Sequence, residues 1–113
     1  MREETRRAIA HTAAARINGK AGSTVYSFEQ GQHTPMSGSG GSIYDHGAEA
    51  HISISGAGFY HHGTGSHVTL SINGGNFSGY DHDAGDHFSG WVKGGSVQIF
   101  DHGEGEHFDY RIA

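Results

Sequence analysis

Cysteine is absent from the 113 residues, which excludes both a disulfide framework and thiolate chemistry and leaves the redox compartment unmarked. Proline occurs once, at Pro35, and leucine once, at Leu70, against eight Ile, four Val and twelve aromatics. That apolar inventory belongs to strands and not to helices. No apolar run is long enough for a membrane span, and the first twenty residues are too polar for a signal peptide, so a cytoplasmic protein is expected. Basic residues are concentrated at Arg2, Arg6, Arg7, Arg16 and Lys20, with only Lys93 and Arg111 beyond them. No basic stripe remains to neutralise phosphates, which argues against a nucleic-acid partner.

Histidine and glycine are abundant instead. Eleven His against a formal charge of −5 mean that full protonation would carry the chain to +6, so its net sign reverses between roughly pH 7 and 5. The twenty Gly recur at fixed points between apolar segments and therefore read as turn residues in a folded chain.

The fixed points belong to a phrase that occurs five times, starting at 25, 43, 59, 79 and 99. Ile43-Tyr44-Asp45-His46-Gly47-Ala48-Glu49-Ala50-His51 is one copy, and Ile99-Phe100-Asp101-His102-Gly103-Glu104-Gly105-Glu106-His107 is another. Every copy has an aromatic second, a four-residue gap rich in Gly and acids, and a His after the gap; four copies also have a His before it, where the first has Phe28. The middles, Gln30-Gly31, Ala48-Glu49, Thr64-Gly65, Ala84-Gly85 and Glu104-Gly105, place Gly second in four cases, where a tight turn needs positive φ. Each phrase is thus expected to be a β-hairpin. Further turns at Ser37 to Ser42, Gly56 to Gly58, Asn73 to Asn76 and Gly94-Gly95 join the hairpins into a meander of about ten strands.

Residues 1–20 form a separate piece. Arg2 to Ile17 is Ala-rich, with Glu3 and Glu4 early, Arg16 late and Asn18-Gly19 as a stop, which predicts a helix. Its apolar face of Ile9, Ala13 and Ile17 is narrow, so the helix is expected to dock on an end of the β structure. Residues 21–113 are then a single all-β domain, closed or radially arranged as a barrel-like structure, because closure removes exposed sheet edges.

If the gap is symmetric, His46 faces His51, Tyr44 faces Ser53 and Ile43 faces Ile54. One face then carries Ile43, Ile52, Ile54, Phe59, Val68, Leu70, Phe88, Ile99, Phe108 and Tyr110 and is the expected core. The other carries the aromatics, the histidines and Ser or Thr. This rhythm of aromatic, acid, turn and return strand, over residues 25 to 112, resembles the β-flower hairpin-repeat domains, a resemblance that implies an all-β fold and no particular biochemical role.

Four His pairs flank the turns: His46 with His51, His62 with His67, His82 with His87, and His102 with His107. Directly opposed residues have Cβ atoms about 4.5 to 5.5 Å apart, near enough for two imidazoles to share a Zn²⁺, Ni²⁺ or Cu²⁺ ion. Further ligands would come from Glu49, Asp83, Asp86, Glu104, Glu106 or the next hairpin. The plainer reading is that the His are flat, half-polar residues stacking on Tyr44, Tyr60, Tyr80 or Phe100. Glu104 and Glu106, with Asp83 and Asp86, read as paired carboxylates for acid-base work, lack a pocket and a nucleophile, so no catalytic set is expected. Asp45, Asp81 and Asp101 lie on the opposite face from the His and read as turn support and solubility. Tyr26, Tyr44, Tyr60, Tyr80, Phe100 and Trp91 suit a carbohydrate-stacking surface, although one aromatic per repeat more commonly builds a core layer. The leading expectation is a non-enzymatic structural or protein-interaction module, with an unknown protein partner or self-association, no nucleic acid and no membrane. Metal binding and carbohydrate binding are its rivals.

Overall fold

The structure, a computed structural model, describes residues 1–39 and 41–113. Ten strands follow one helix, α1 (Glu3–Asn18): β1 (Thr24–Ser27), β2 (Gln32–Ser39), β3 (Ser42–Asp45), β4 (Ala50–Ser55), β5 (Gly58–His61), β6 (Ser66–Asn73), β7 (Asn76–Asp81), β8 (Asp86–Lys93), β9 (Ser96–Asp101) and β10 (Glu106–Ile112). Each strand pairs antiparallel with the next, and β1 returns to pair with β10, Val25 opposite Ile112, so the meander closes into a barrel. The five hairpin turns lie where the repeated phrase puts them. Gly31, Glu49, Gly65, Gly85 and Gly105 all have positive φ, between 52° and 72°.

The pairing differs from a symmetric gap. Tyr44 lies opposite His51 and Asp45 opposite Ala50, with Ile43 opposite Ile52. His46 to Glu49 are consumed as a four-residue loop, and in four hairpins the left-handed glycine closes it by donating its N–H four residues back, as Gly65 does to His61 at 2.8 Å. The register therefore slides by two residues. A slide of two leaves every side chain on the face it had, so the expected core face holds: all ten of its residues are buried except Ile54, which is half-buried.

The helix does not dock on an end. Every residue from Thr5 to Ala14 is buried, around the full circumference of α1, and α1 touches β1, β6, β8, β9 and β10. A helix buried all round is a core element. It runs through the lumen, tied at one end by Arg7 to Asp45 on β3 and at the other by Asn18 Nδ2 to the Gly94 carbonyl at 2.9 Å and by Arg16 to the Ser55 and Gly56 carbonyls. Ala8, Ala10, Ala13 and Ala14 make this possible: a helix with ordinary side chains is about 10 Å or more across, and small ones let ten strands wrap it. Ile9 fills what remains, with Val25, Ile52, Phe88, Ile99 and Tyr110 of the wall. The segment 1–20 and the sheet thus share one core. Among the described residues no helix is long and apolar enough to cross a membrane.

Candidate functional site: an aromatic-histidine belt

Strand alternation sends the second residue of each phrase outward and the third inward. The outward aromatics Tyr26, Tyr44, Tyr60, Tyr80 and Phe100 are half-buried, so they do not build the core layer. Each lies opposite the His that follows the gap, His33, His51, His67, His87 and His107, with ring centroids 4.4 to 4.9 Å apart. The residue two positions on, Phe28, His46, His62, His82 or His102, packs edge-on against the same ring at 4.7 to 4.9 Å. Five aromatic-centred trios therefore encircle the outside of the barrel near its hairpin turns.

The expected metal ligands all lie in this belt, but not as opposed pairs. In each hairpin an aromatic ring contacts both His, and the second His faces that ring across the strands. The turn His is engaged elsewhere as well. Its Nε2 meets a hydroxyl of the preceding hairpin, His46 to Ser37 at 2.7 Å, His62 to Ser53 at 2.8 Å, His82 to Thr69 at 2.7 Å and His102 to Ser89 at 3.4 Å. Its N–H also donates to that hairpin, to the carbonyls of Pro35, His51, His67 and His87. Phe28 makes the same backbone tie across the closure, to Asp109 at 3.1 Å. Among the described residues no three His, Asp or Glu side chains converge as an ion site. Of the supplementary carboxylates, Glu49, Asp83, Glu104 and Glu106 are exposed and spread among the turns, while Asp86 is half-buried, 3.1 Å from the Met1 amine.

Inside the belt lies a polar layer that the residue pattern did not reveal as one. The third residue of every phrase, Ser27, Asp45, His61, Asp81 or Asp101, is buried below its own turn. The three Asp each accept two turn N–H groups on Oδ1, His61 accepts those of Gly63 and Thr64 on Nδ1, and Ser27 accepts that of Gln30. Turn support is therefore their role. Solubility is not, since they are at most 3 % exposed. Because Nδ1 of His61 accepts, its hydrogen sits on Nε2, which points to Asp45 Oδ2 at 3.6 Å.

The lumenal cations come from α1. Arg7 grips Asp45, and Arg6 reaches Asp101 Oδ2 at 3.1 Å with its guanidinium 3.8 Å above the centre of the Phe108 ring. Burial by itself would raise the Asp45 carboxyl, but His61, the Ala48 N–H and Arg7 outweigh it and hold the pKa down at about 2. Tyr110 is pushed well above its ordinary value by burial and by the Glu3 carboxylate that accepts its hydroxyl at 2.9 Å. At the other end of the helix, burial lowers the pKa of His11, whose Nε2 meets the Gly22 carbonyl at 2.8 Å. The available signal for this layer was the third phrase position, which is a hydrogen-bond acceptor in every copy.

Shallow grooves also mark the outer wall, and two of them are larger than the one beside Tyr26 and Phe28. One of about 580 Å³ lies beside Tyr60, over Gly58, with Ser53, Thr69, His67 and His82 at its sides. The other, of about 330 Å³, surrounds Trp91. Compared with known proteins, the chain matches no family model, no curated protein and no solved structure.

Proposed function

We propose that the protein is a non-enzymatic recognition module that engages a protein partner, or a second copy of itself, through the outside of its barrel. One observation carries this reading: α1 occupies the lumen, the place where an open barrel would hold a ligand. Contact with a partner then falls to the outer wall. Closure leaves no free strand edge for a peptide to extend, so recognition depends on side chains. The belt offers half-exposed aromatic rings bordered by imidazoles and hydroxyls, the kind of surface in which interface anchors are found. Turnover is not expected of it, because the hydroxyls bonded to its turn imidazoles lie on an open outer face, and among the described residues no carboxylate is hydrogen-bonded to those rings to complete a Ser-His-acid set.

The test is cross-linking in extracts of the producing cells, with sedimentation velocity for self-association. Replacing Tyr44, Tyr60 and Tyr80 together by Ser should remove the complexes while the melting temperature shows the barrel intact. Complexes that survive this triple substitution would overturn the reading.

A further inference from the structure

We propose that the outer face of β7 to β10 is a binding site for a neutral saccharide, with the Trp91 indole as its stacking plate. The proposal rests on the outside of the barrel being the recognition surface and names one ligand class for one part of it.

The repeats themselves single out this place. Two residues before each phrase aromatic stands an outward residue, and its neighbour on the preceding strand completes a pair. In the third and fourth hairpins those pairs are Gly58 with Ser55 and Ser78 with Ser71, all small. In the fifth hairpin the pair is Gln98 with Trp91. A large aromatic and a planar amide thus stand where those two junctions have hydroxyls or nothing. Trp91 is 40 % exposed, although an indole is among the side chains most costly to leave in water.

Its neighbours are set by register. Asn76, Trp91, Gln98 and Asp109 face outward in one row across four adjacent strands, at the ~4.8 Å spacing of paired strands. The next row towards the turns runs Ser78, Ser89, Phe100 and His107. Ser89 is small, so the floor dips between the rings of Trp91 and Phe100, and this dip is the groove of about 330 Å³. Gln98 is held by its own bond, Nε2 donating to Asp109 Oδ1 at 3.0 Å, which leaves its carbonyl oxygen and second N–H to face a ligand.

The lining selects the chemistry. Sugar rings present a C–H face to an aromatic plane and hydroxyls at the rim, each hydroxyl both donor and acceptor. Asn76, Gln98, Ser89 and His107 supply matching groups around Trp91. Among the described residues no carboxylate, lysine or arginine lines the groove, and the neighbouring Asp109 carboxylate accepts the Gln98 amide, so a neutral sugar is the class that fits. The site lies on the rigid wall of a closed sheet, which limits the ordering cost of binding.

The test is a printed array of neutral and acidic glycans probed with the full chain, followed by calorimetry with the best neutral oligosaccharide. Binding to a neutral glycan is expected. Trp91→Ala should weaken it about tenfold or more and Gln98→Ala about fivefold, whereas Trp91→Phe should keep part of it. Unchanged melting temperatures exclude misfolding, and Glu29→Ala, on the exposed turn of the first hairpin and outside the groove, should leave the affinity unchanged. An array with no neutral glycan bound overturns the proposal, as does binding indifferent to Trp91→Ala or confined to acidic glycans. If Trp91→Ala instead disrupts a protein complex, the saccharide is wrong, yet recognition on the outer wall stands, since that rests on the separate triple tyrosine substitution.

Discussion

Arg7 and Asp45 meet as a fork inside the barrel. The guanidinium Nη2 lies 3.1 and 2.9 Å from the two carboxylate oxygens and Nε lies 3.3 Å from Oδ2. The same carboxylate supports the β3–β4 turn and faces His61, so it joins α1 to two neighbouring hairpins. Removing one member of such a pair strands the other in the interior, and Arg7→Met should therefore cost about 3 to 5 kcal/mol in chemical denaturation.

The pair also sets an acid limit. Asp45 has its folded pKa depressed from 3.8 to about 2, so its contribution is complete above the unfolded value and is lost as pH falls from about 4 towards 2. The shift corresponds to about 2 kcal/mol. Melting curves from pH 6 to 2 should show this loss in the native protein. In Asp45→Asn that part of the acid dependence should vanish, and an unchanged profile would mean that the fork does not form.

The five left-handed turn residues offer a paired test of backbone strain. Gly65, at φ 71°, should not accept a β-branched side chain, and Gly65→Val should cost at least about 1 kcal/mol. Glu49 holds the same position at φ 52° with a Cβ. Glu49→Gly should relieve that strain and leave stability unchanged or raised by up to about 1 kcal/mol. A loss at Gly65 without a loss at Glu49 identifies the left-handed position; no loss in Gly65→Val, or a clear loss in Glu49→Gly, would place the turn elsewhere.

Packing of the lumen gives the fourth prediction. Ala13 is fully buried, so Ala13→Leu should destabilise by about 1 to 3 kcal/mol through overpacking, although it improves the apolar face of the helix. A helix lying on the end of the sheet would be indifferent to the change or strengthened by it. Ile9→Ala should cost about 2 to 5 kcal/mol from the opposite cause, a cavity.

The turns were legible because their glycines and aromatics recur at fixed spacing, and the core face because alternation by two survives a register slide by two. Pairing itself was not legible: a symmetric gap put His46 opposite His51, whereas the loop consumes His46 to Glu49 and puts Tyr44 opposite His51. What holds that loop is the donation of the turn N–H groups of Gly47 and Ala48 to the Asp45 carboxylate, an interaction that leaves no periodic trace. The helix itself was legible, at nearly the right bounds, but not its place. Ala8, Ala10, Ala13 and Ala14 look like weak amphipathicity along the chain, and their smallness acquires meaning only once a wall surrounds them. Arg6 and Arg7 look solvated for the same reason, since their partners Asp101 and Asp45 are distant in sequence.

Closure of β1 on β10 across Val25 and Ile112 also bears on how the chain reaches this state. The helix precedes every strand, yet the cylinder that surrounds it is complete only when the last strand arrives. A growing or partly folded chain must therefore carry an Ala-rich helix that is incompletely enclosed, with Arg6 lacking Asp101 until β9 is made, and hairpins with open edges until the ends meet. Hairpins are local and form quickly, whereas ring closure is the most distant strand pairing the molecule makes and is expected to set the slow step of folding. Refolding should accordingly be a late, all-or-none event in which sequestration of α1 and formation of the β1–β10 seam occur together.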